Sequence, residues 1–313
     1  MILNKTPIIS IISPVYKAEK IVSELVRQIE RAVSKITLEY EIILVEDFSR
    51  DHSWDEILKI CKQNSKIKGI KLSRNFGQHY AISAGVAKSN GDNVILMDCD
   101  LQDNPEDIIK LFEKRKEGFD IVFTKRKNRK HGLIKSLNSY LYNKLFSFFS
   151  EKKYDINAGS LVLFTRRVAI EFNKLEDKDR LYLQILKWLG FKSVTIEIEH
   201  RNRYEGKSSY SFIALIKLGI QGLTSHSDKL LRLSIYIGLS LSFVSFILGI
   251  FIILRYFFYK LLPGWPSIIV TILFSTGLIL LSNGIMGIYI GKIFEQSKKR
   301  PLYIIEEEIN INA

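Results

Sequence analysis

Between Leu233 and Leu254 the chain carries no charged residue. As an α-helix rising 1.5 Å per residue, this run is about 33 Å long, enough to cross a hydrocarbon core of roughly 30 Å. A second uncharged run extends from Leu261 to Gly291 and is broken near its start by Pro263-Gly264-Trp265-Pro266. That cluster reads as an interfacial turn, with Trp265 and Tyr256 at headgroup depth. Helices buried in a soluble core rarely keep such length free of charge, so two membrane spans are expected. Before about Lys229 the sequence is charged and mixed, like a soluble α/β domain.

The flanks orient the spans. Lys229 and Arg232 precede the first, Lys292, Lys298, Lys299 and Arg300 follow the second, and only Arg255 and Lys260 lie between them. Positive residues stay on the cytoplasmic side, which puts both termini there. Met1 to Ser10 lacks the continuous apolar core of a signal peptide, so the globular part is expected to remain where it is made. Two distant cysteines, Cys61 and Cys99, form neither a disulfide framework nor a thiolate cluster and fit a reducing compartment. A net charge of +13 calls for an anionic partner. With spans present and no zinc-finger spacing or RNA-recognition motif, membrane lipids and phosphates are favoured and nucleic acid is not. Gly287-Ile-Tyr-Ile-Gly291, with Gly284, is a small-xxx-small match that could pack helices within the hairpin or in a homo-oligomer.

In the soluble half, short apolar runs alternate with helical patterns. Ile8 to Ser13 reads as a strand stopped by Pro14, and a helix with Ile21, Leu25, Ile29 and Val33 on one face follows. Further strands are expected at Glu41 to Glu46, Lys68 to Leu72, Asn93 to Met97 and Asp120 to Thr124, with helices between them. This alternation predicts an α/β fold with a doubly wound, mostly parallel sheet. Ligands of such sheets bind beyond the carboxyl ends of the strands. Pro14 to Glu19, Glu46-Asp47, Ser73 to Gly77 and Asp98 to Asp103 all fall there. Leu133 to Phe149 and Ser209 to Leu223 are basic, aromatic and amphipathic, as interface helices are, although the first also suits a core-facing helix.

Asp98 and Asp100 flank one residue just past a strand, followed by Gln102 and Asp103. Carboxylates so close repel, and a hard divalent cation offsets that repulsion. Mg²⁺ or Mn²⁺ takes oxygen ligands and is usually completed by substrate phosphates.

The segments IISPVYKAEK, ILVEDFSRDHS, KLSRNFGQHYAISAGVAKSNGDNVILMDCDLQDNPEDI and RPLYII resemble the family 2 glycosyltransferases of the polyprenyl-phosphate type. These include dolichol-phosphate mannose synthases and bacterial undecaprenyl-phosphate glucosyltransferases. The resemblance implies a GT-A nucleotide-binding domain over residues 1–207, with a possible interface helix at 133–149. An amphipathic juxtamembrane helix would span 208–230, two transmembrane helices 231–292, and a cytoplasmic tail 293–313. It implies nucleobase and ribose contacts from Pro14, Tyr16, Glu19, Glu46 and Asp47, with Asn75, Gly77 and Asp98 in the same nucleotide site. Asp98, Asp100 and Gln102 match its metal ligands. Asp100, Arg203 and Lys207 would carry catalysis, the last two by binding acceptor phosphate or leaving diphosphate, with Arg126 and Arg129 as lesser phosphate candidates. Three departures stand out: Phe48 replaces a turn glycine, Cys99 lies between the aspartates, and Gly159-Ser160-Leu161-Val162 lacks an acid and an arginine found in many relatives.

The implied reaction is inverting transfer of one sugar from a UDP- or GDP-linked donor to a polyprenyl phosphate, undecaprenyl phosphate foremost, at the bacterial inner membrane, for cell-surface glycan modification. A phosphate monoester is already mostly dianionic at pH 7, so little deprotonation remains for a base. Other readings stand beside it. Transfer to a lipid-linked saccharide hydroxyl would need a base. A processive synthase would carry more spans and a Gln-x-x-Arg-Trp motif, where this chain has Gln184-Ile-Leu-Lys-Trp188. A non-enzymatic membrane scaffold would have no use for the acidic cluster.

Overall fold

A computed structural model describes residues 8–126, 158–178, 180–199, 229–258 and 264–311. The interface segments 133–149 and 208–228 lie outside them, as do Arg129, Arg203 and Lys207.

The expected alternation is present: β1 (Ile9–Val15), α1 (Val22–Val33), β2 (Tyr40–Glu46), α2 (Ser53–Gln63), β3 (Ile67–Leu72), α3 (Gln78–Lys88), β4 (Asn93–Leu96), α4 (Asp107–Lys116) and β5 (Ile121–Arg126). Then come β6 (Ala158–Thr165), α5 (Arg166–Lys174), α6 (Tyr182–Trp188), β7 (Ser193–Ile198), α7 (Lys229–Phe258), α8 (Trp265–Ser297) and β8 (Ile305–Ile309). The eight strands form one sheet in the order β7-β5-β6-β4-β1-β2-β3-β8. Pairing is parallel throughout except where β6 lies against β4 and β5, and β8 against β3.

Each face of the sheet buries its own apolar cluster. On one side α1 contributes Val22, Leu25, Val26, Ile29 and Val33, and α2 and α4 add Ile57, Ile108 and Leu111. On the other, α3 contributes Ala81, Ile82, Ala84 and Val86, with Phe172 of α5 and Leu186 of α6. Small residues on α3 let it lie close: a Cβ at Gly85 would meet Ile12 Cγ2 at 2.3 Å. The central strands are covered on both faces, so they read as unbroken apolar runs.

Pro14 does not end β1; it sits buried within it. On the β4 side the ladder stops after Ile12↔Leu96 and Met97 N→Ile12 O, so a proline at 14 costs no hydrogen bond there. At the opposite end of the sheet, buried Glu41 fastens three strands. Its Oε1 accepts Ser10 Oγ at 2.5 Å and Asn90 N at 2.6 Å, and its Oε2 takes Lys68 Nζ at 2.7 Å.

Residues expected as part of a tail are an edge strand instead. β8 pairs with β3 from Gly69↔Ile309 to Leu72↔Ile305, with Lys71–Glu306 at 3.3 Å, Lys88–Glu308 at 2.8 Å and Trp54 Nε1→Glu307 Oε2 at 3.0 Å. Asn310 Nδ2 reaches the carbonyls of Cys61 and Ile67 at 2.8 and 2.9 Å. Arg300–Ile311 thus belongs to the globular unit.

The second unit holds α7 and α8, which pack on each other. Of the apolar window Leu231–Leu248 only 6% is buried, and of Phe274–Ser297 none. Phe246, Leu280 and Ile293 are all more than three-fifths exposed, which removes the buried-core reading and leaves two helices able to cross a membrane. A side chain at Gly284, Gly287 or Gly291 would meet nothing within 4 Å among the described residues.

Candidate active site

The carboxyl ends of β1, β2, β3, β4 and β5 gather Tyr16, Glu19, Glu46, Asp47, Asn75, Gly77, Asp98, Asp100, Gln102 and Arg126 along one edge of the sheet. Loops at that edge are tied to each other. Past β2, Asp47 N donates to Val15 O at 3.0 Å, continuing the ladder beyond its last register pair. The Asp47 carboxylate accepts Phe76 N at 2.7 Å and Gly77 N at 2.8 Å, and its carbonyl accepts Asn75 Nδ2 at 3.1 Å. Gly77 caps α3 at φ +103°, a conformation that excludes other residues. Asp47 therefore shapes the entrance to α3. Burial pushes its pKa up, and the two backbone N–H bonds hold it partly down.

Glu46 is buried as well. Its Oε1 takes both Ser49 N and Ser49 Oγ, while Oε2 has no hydrogen-bond partner among the described residues. Glu19 links the first two loops, accepting His52 N at 3.1 Å on its carboxylate and donating its own N–H to Asp51 Oδ2 at 3.3 Å. Tyr16 is 47% exposed, with Lys17 Nζ 5.4 Å from its ring centroid.

Past β4, Asp98 accepts Gln78 Nε2 at 2.6 Å, Asp100 Oδ1 accepts Gln102 N at 3.1 Å, and Ser160 Oγ donates to Asp103 Oδ2 at 2.6 Å. Leu101 makes this turn possible at φ +56° and buries its side chain. Burial, then the charges of Asp100 and Asp103, push Asp98 up to about 7; Ser160 and Arg126 counter them. A divalent cation here would offset the repulsion among these carboxylates. No group of three or more His, Cys, Asp or Glu side chains is placed to hold a metal among the described residues. Two carboxylates and one amide suffice for Mg²⁺ or Mn²⁺ when phosphate oxygens complete the shell, so the donor set fits. Cys99, between the aspartates, has its thiol pushed up to about 12 by burial and the Asp98 charge, so it is no thiolate ligand. Arg126 ends β5 with its Nε buried and without an acceptor among the described residues, and its charge acts on Asp98.

Sequence reasoning missed Gln78, Ser160 and Tyr182 as site residues. Tyr182 OH donates to Ser160 O at 3.1 Å and its ring lies 5.5 Å from that of His79, so α3, α6 and β6 meet behind the acidic turn. Gln78 had a signal, standing next to the glycine that opens a helix; Tyr182 had none, because only β6's reversed direction brings it there.

A mostly parallel sheet covered on both faces, with a carboxylate pair at its carboxyl edge, is a GT-A-like α/β fold. The chain belongs to glycosyl transferase family 2, whose model matches residues 10–172. It is 33% identical over 304 residues to the glycosyltransferase YkcC of Bacillus subtilis, covering 96% of this chain and 94% of that one. It is also 33% identical over 302 residues to the bactoprenol glucosyl transferase of Shigella phage SfV, covering 96% and 98%. Among solved structures, a mannosyltransferase from Pyrobaculum calidifontis in complex with GDP-Man and Mn²⁺ superposes with a TM-score of 0.49 at 14% identity, covering 73% of this chain and 65% of that one. The protein is accordingly a glycosyltransferase.

Proposed function

We propose that this glycosyltransferase moves a single sugar from a UDP- or GDP-linked donor to a polyprenyl phosphate in the membrane, undecaprenyl phosphate foremost. The observation that carries the donor half is the Asp98–Asp100 pair at the sheet's carboxyl edge, where burial and the charges of Asp100 and Asp103 raise the Asp98 pKa in spite of Ser160 and Arg126. The acceptor half rests on the exposed apolar hairpin and on relatives that are named for transfer to bactoprenol.

A Mg²⁺ or Mn²⁺ ion held by Asp98, Asp100 and Gln102 would neutralise the leaving nucleoside diphosphate. The chain's own residues do the rest. Asp47 and Gly77 fix the loop into α3, Gln78 orients Asp98, and Arg126 adds a cation beside the acidic turn. Arg203 and Lys207, outside the described residues, are assigned to the acceptor phosphate or the leaving group. A dianionic acceptor phosphate attacks the anomeric carbon from the face opposite the departing diphosphate, inverting it. It needs no base, which suits Ser160 at the place where many relatives have an acid.

Topology supports a cytoplasmic catalytic unit. Described residues on both sides of the hairpin, in Ile9–Arg126, Ala158–Ile198 and Arg300–Ile311, belong to one sheet-bearing unit, which favours an even number of membrane crossings between Ile198 and Arg300. Two helices would meet that requirement, and the basic flanks support a cytoplasmic side for the shared unit. The test is to incubate the purified protein with undecaprenyl phosphate and a panel of labelled UDP- and GDP-sugars. One donor is expected to give a solvent-extractable lipid bearing one sugar. Label recovered only in polymer or in no lipid overturns the proposal.

A further inference from the structure

Three non-glycine residues at the carboxyl edge adopt left-handed backbone: Lys17 (φ +53°), Phe48 (φ +52°) and Leu101 (φ +56°). Two of them gain something inside the protein. Leu101 buries its side chain to 6% exposure, and the Lys17 ammonium lies over the Tyr16 ring. Phe48 does not: its side chain is 42% exposed. Left-handed backbone is unfavourable for a bulky residue, and exposed aromatic surface adds to the cost.

The residues around Phe48 enforce its conformation. Glu46 Oε1 binds Ser49 N and Oγ, closing the turn over Phe48. Asp47 is pinned at its N–H by Val15 O, and at its carboxylate by Phe76 and Gly77. Between the buried Glu46 and Asp47 and the half-buried Ser49, Phe48 is the exposed side chain of this turn, one residue past the end of the β1–β2 ladder. Tyr16, the exposed aromatic at the end of β1, stands on the neighbouring strand. Strain kept in place by an over-determined loop marks sites where a ligand recovers the cost.

We propose that Phe48 is a binding residue for the donor, its ring forming a stacking wall for the nucleobase beside Tyr16. This rests on the nucleotide-sugar reading above. Stacking on an aromatic face is tolerant of base identity, so Phe48 sets donor affinity rather than the choice between uracil and guanine.

Calorimetric titration of the full-length protein in detergent with UDP and with GDP, in Mn²⁺, tests it. Whichever nucleotide binds the wild type should bind Phe48→Leu about tenfold more weakly, while Phe48→Tyr stays within about twofold. Phe48→Gly should show the same tenfold loss while melting no lower than wild type, because glycine accepts positive φ. Leu or Gly variants that bind like wild type, a Tyr variant as weak as Leu, or a Gly variant that melts well below wild type would overturn the proposal. A wild-type protein that binds neither nucleotide overturns the donor reading itself, and this proposal with it.

Discussion

His79, in the first turn of α3, has its Nδ1 buried without a hydrogen-bond partner among the described residues, and burial pushes its pKa down to about 4. In the unfolded chain the same imidazole titrates near 6.5. Below that pH the unfolded state binds a proton that the folded state refuses, so stability present above about 6.5 drains away towards pH 4. A shift of this size corresponds to at most about 3 kcal/mol. His79→Phe should remove that part of the pH dependence, read as the difference between wild-type and variant denaturant midpoints at pH 7 and pH 4.5. An unchanged difference would show that His79 is not held neutral. Arg180 shows the opposite way to place a charge inside. It is 3% exposed, yet its guanidinium donates to Ser83 Oγ at 2.6 Å, to the Phe172 carbonyl at 2.9 Å and to the Leu175 carbonyl, closing the end of α5. Neither residue could be assigned from sequence. What decides each is the set of partners that distant segments bring, not the residue type.

Among the elements, β1, β2 and β4 were legible because both faces are covered, whereas β6, just as central, was not anticipated. Ile-Ile-Ser-Ile-Ile, Glu-Ile-Ile-Leu-Val and Asn-Val-Ile-Leu-Met have no other comfortable environment. The edge strands were not. β7 alternates exposed and half-buried positions, and β8 is Ile-Glu-Glu-Glu-Ile, a composition that reads as tail. Its glutamates have partners supplied by α2, β3 and α3: Trp54, Lys71 and Lys88. That pairing joins residues more than two hundred positions apart, beyond the reach of any local pattern. β8 also covers the β3 edge, which would otherwise offer unpaired backbone to another chain. Asn310→Ala should therefore lower stability by about 1–2 kcal/mol, since two partly buried carbonyls lose their donor. Thermal melting of the detergent-solubilised protein measures it, and a melting point equal to wild type would show that β8 is not fastened there.

At the scale of the whole molecule, the chain leaves its sheet after β7, passes through two lipid-compatible helices and returns to the same sheet as β8. The apolar runs announced the hairpin, and the acidic turn after Met97 pointed to the candidate site. What sequence alone left unresolved is how crowded that site is. Asp98 shares its surroundings with Asp100 and Asp103, faced by Arg126 and Ser160, and β6 and β5 must fold against β4 before any of these neighbours exists. This arrangement makes the claim of donor binding at the acidic turn testable by one substitution. Asp100→Asn removes a carboxylate beside Asp98, so the fold should hold or gain stability while the diphosphate loses its anchor. The direct measurement is the initial rate of lipid-linked sugar formation by Asp100→Asn against wild type, with donor, polyprenyl phosphate and Mn²⁺ supplied. The expected result is a fall of about 10²–10³-fold at an unchanged or raised melting temperature. Transfer at the wild-type rate would contradict the role given to the carboxylate pair and, with it, the site.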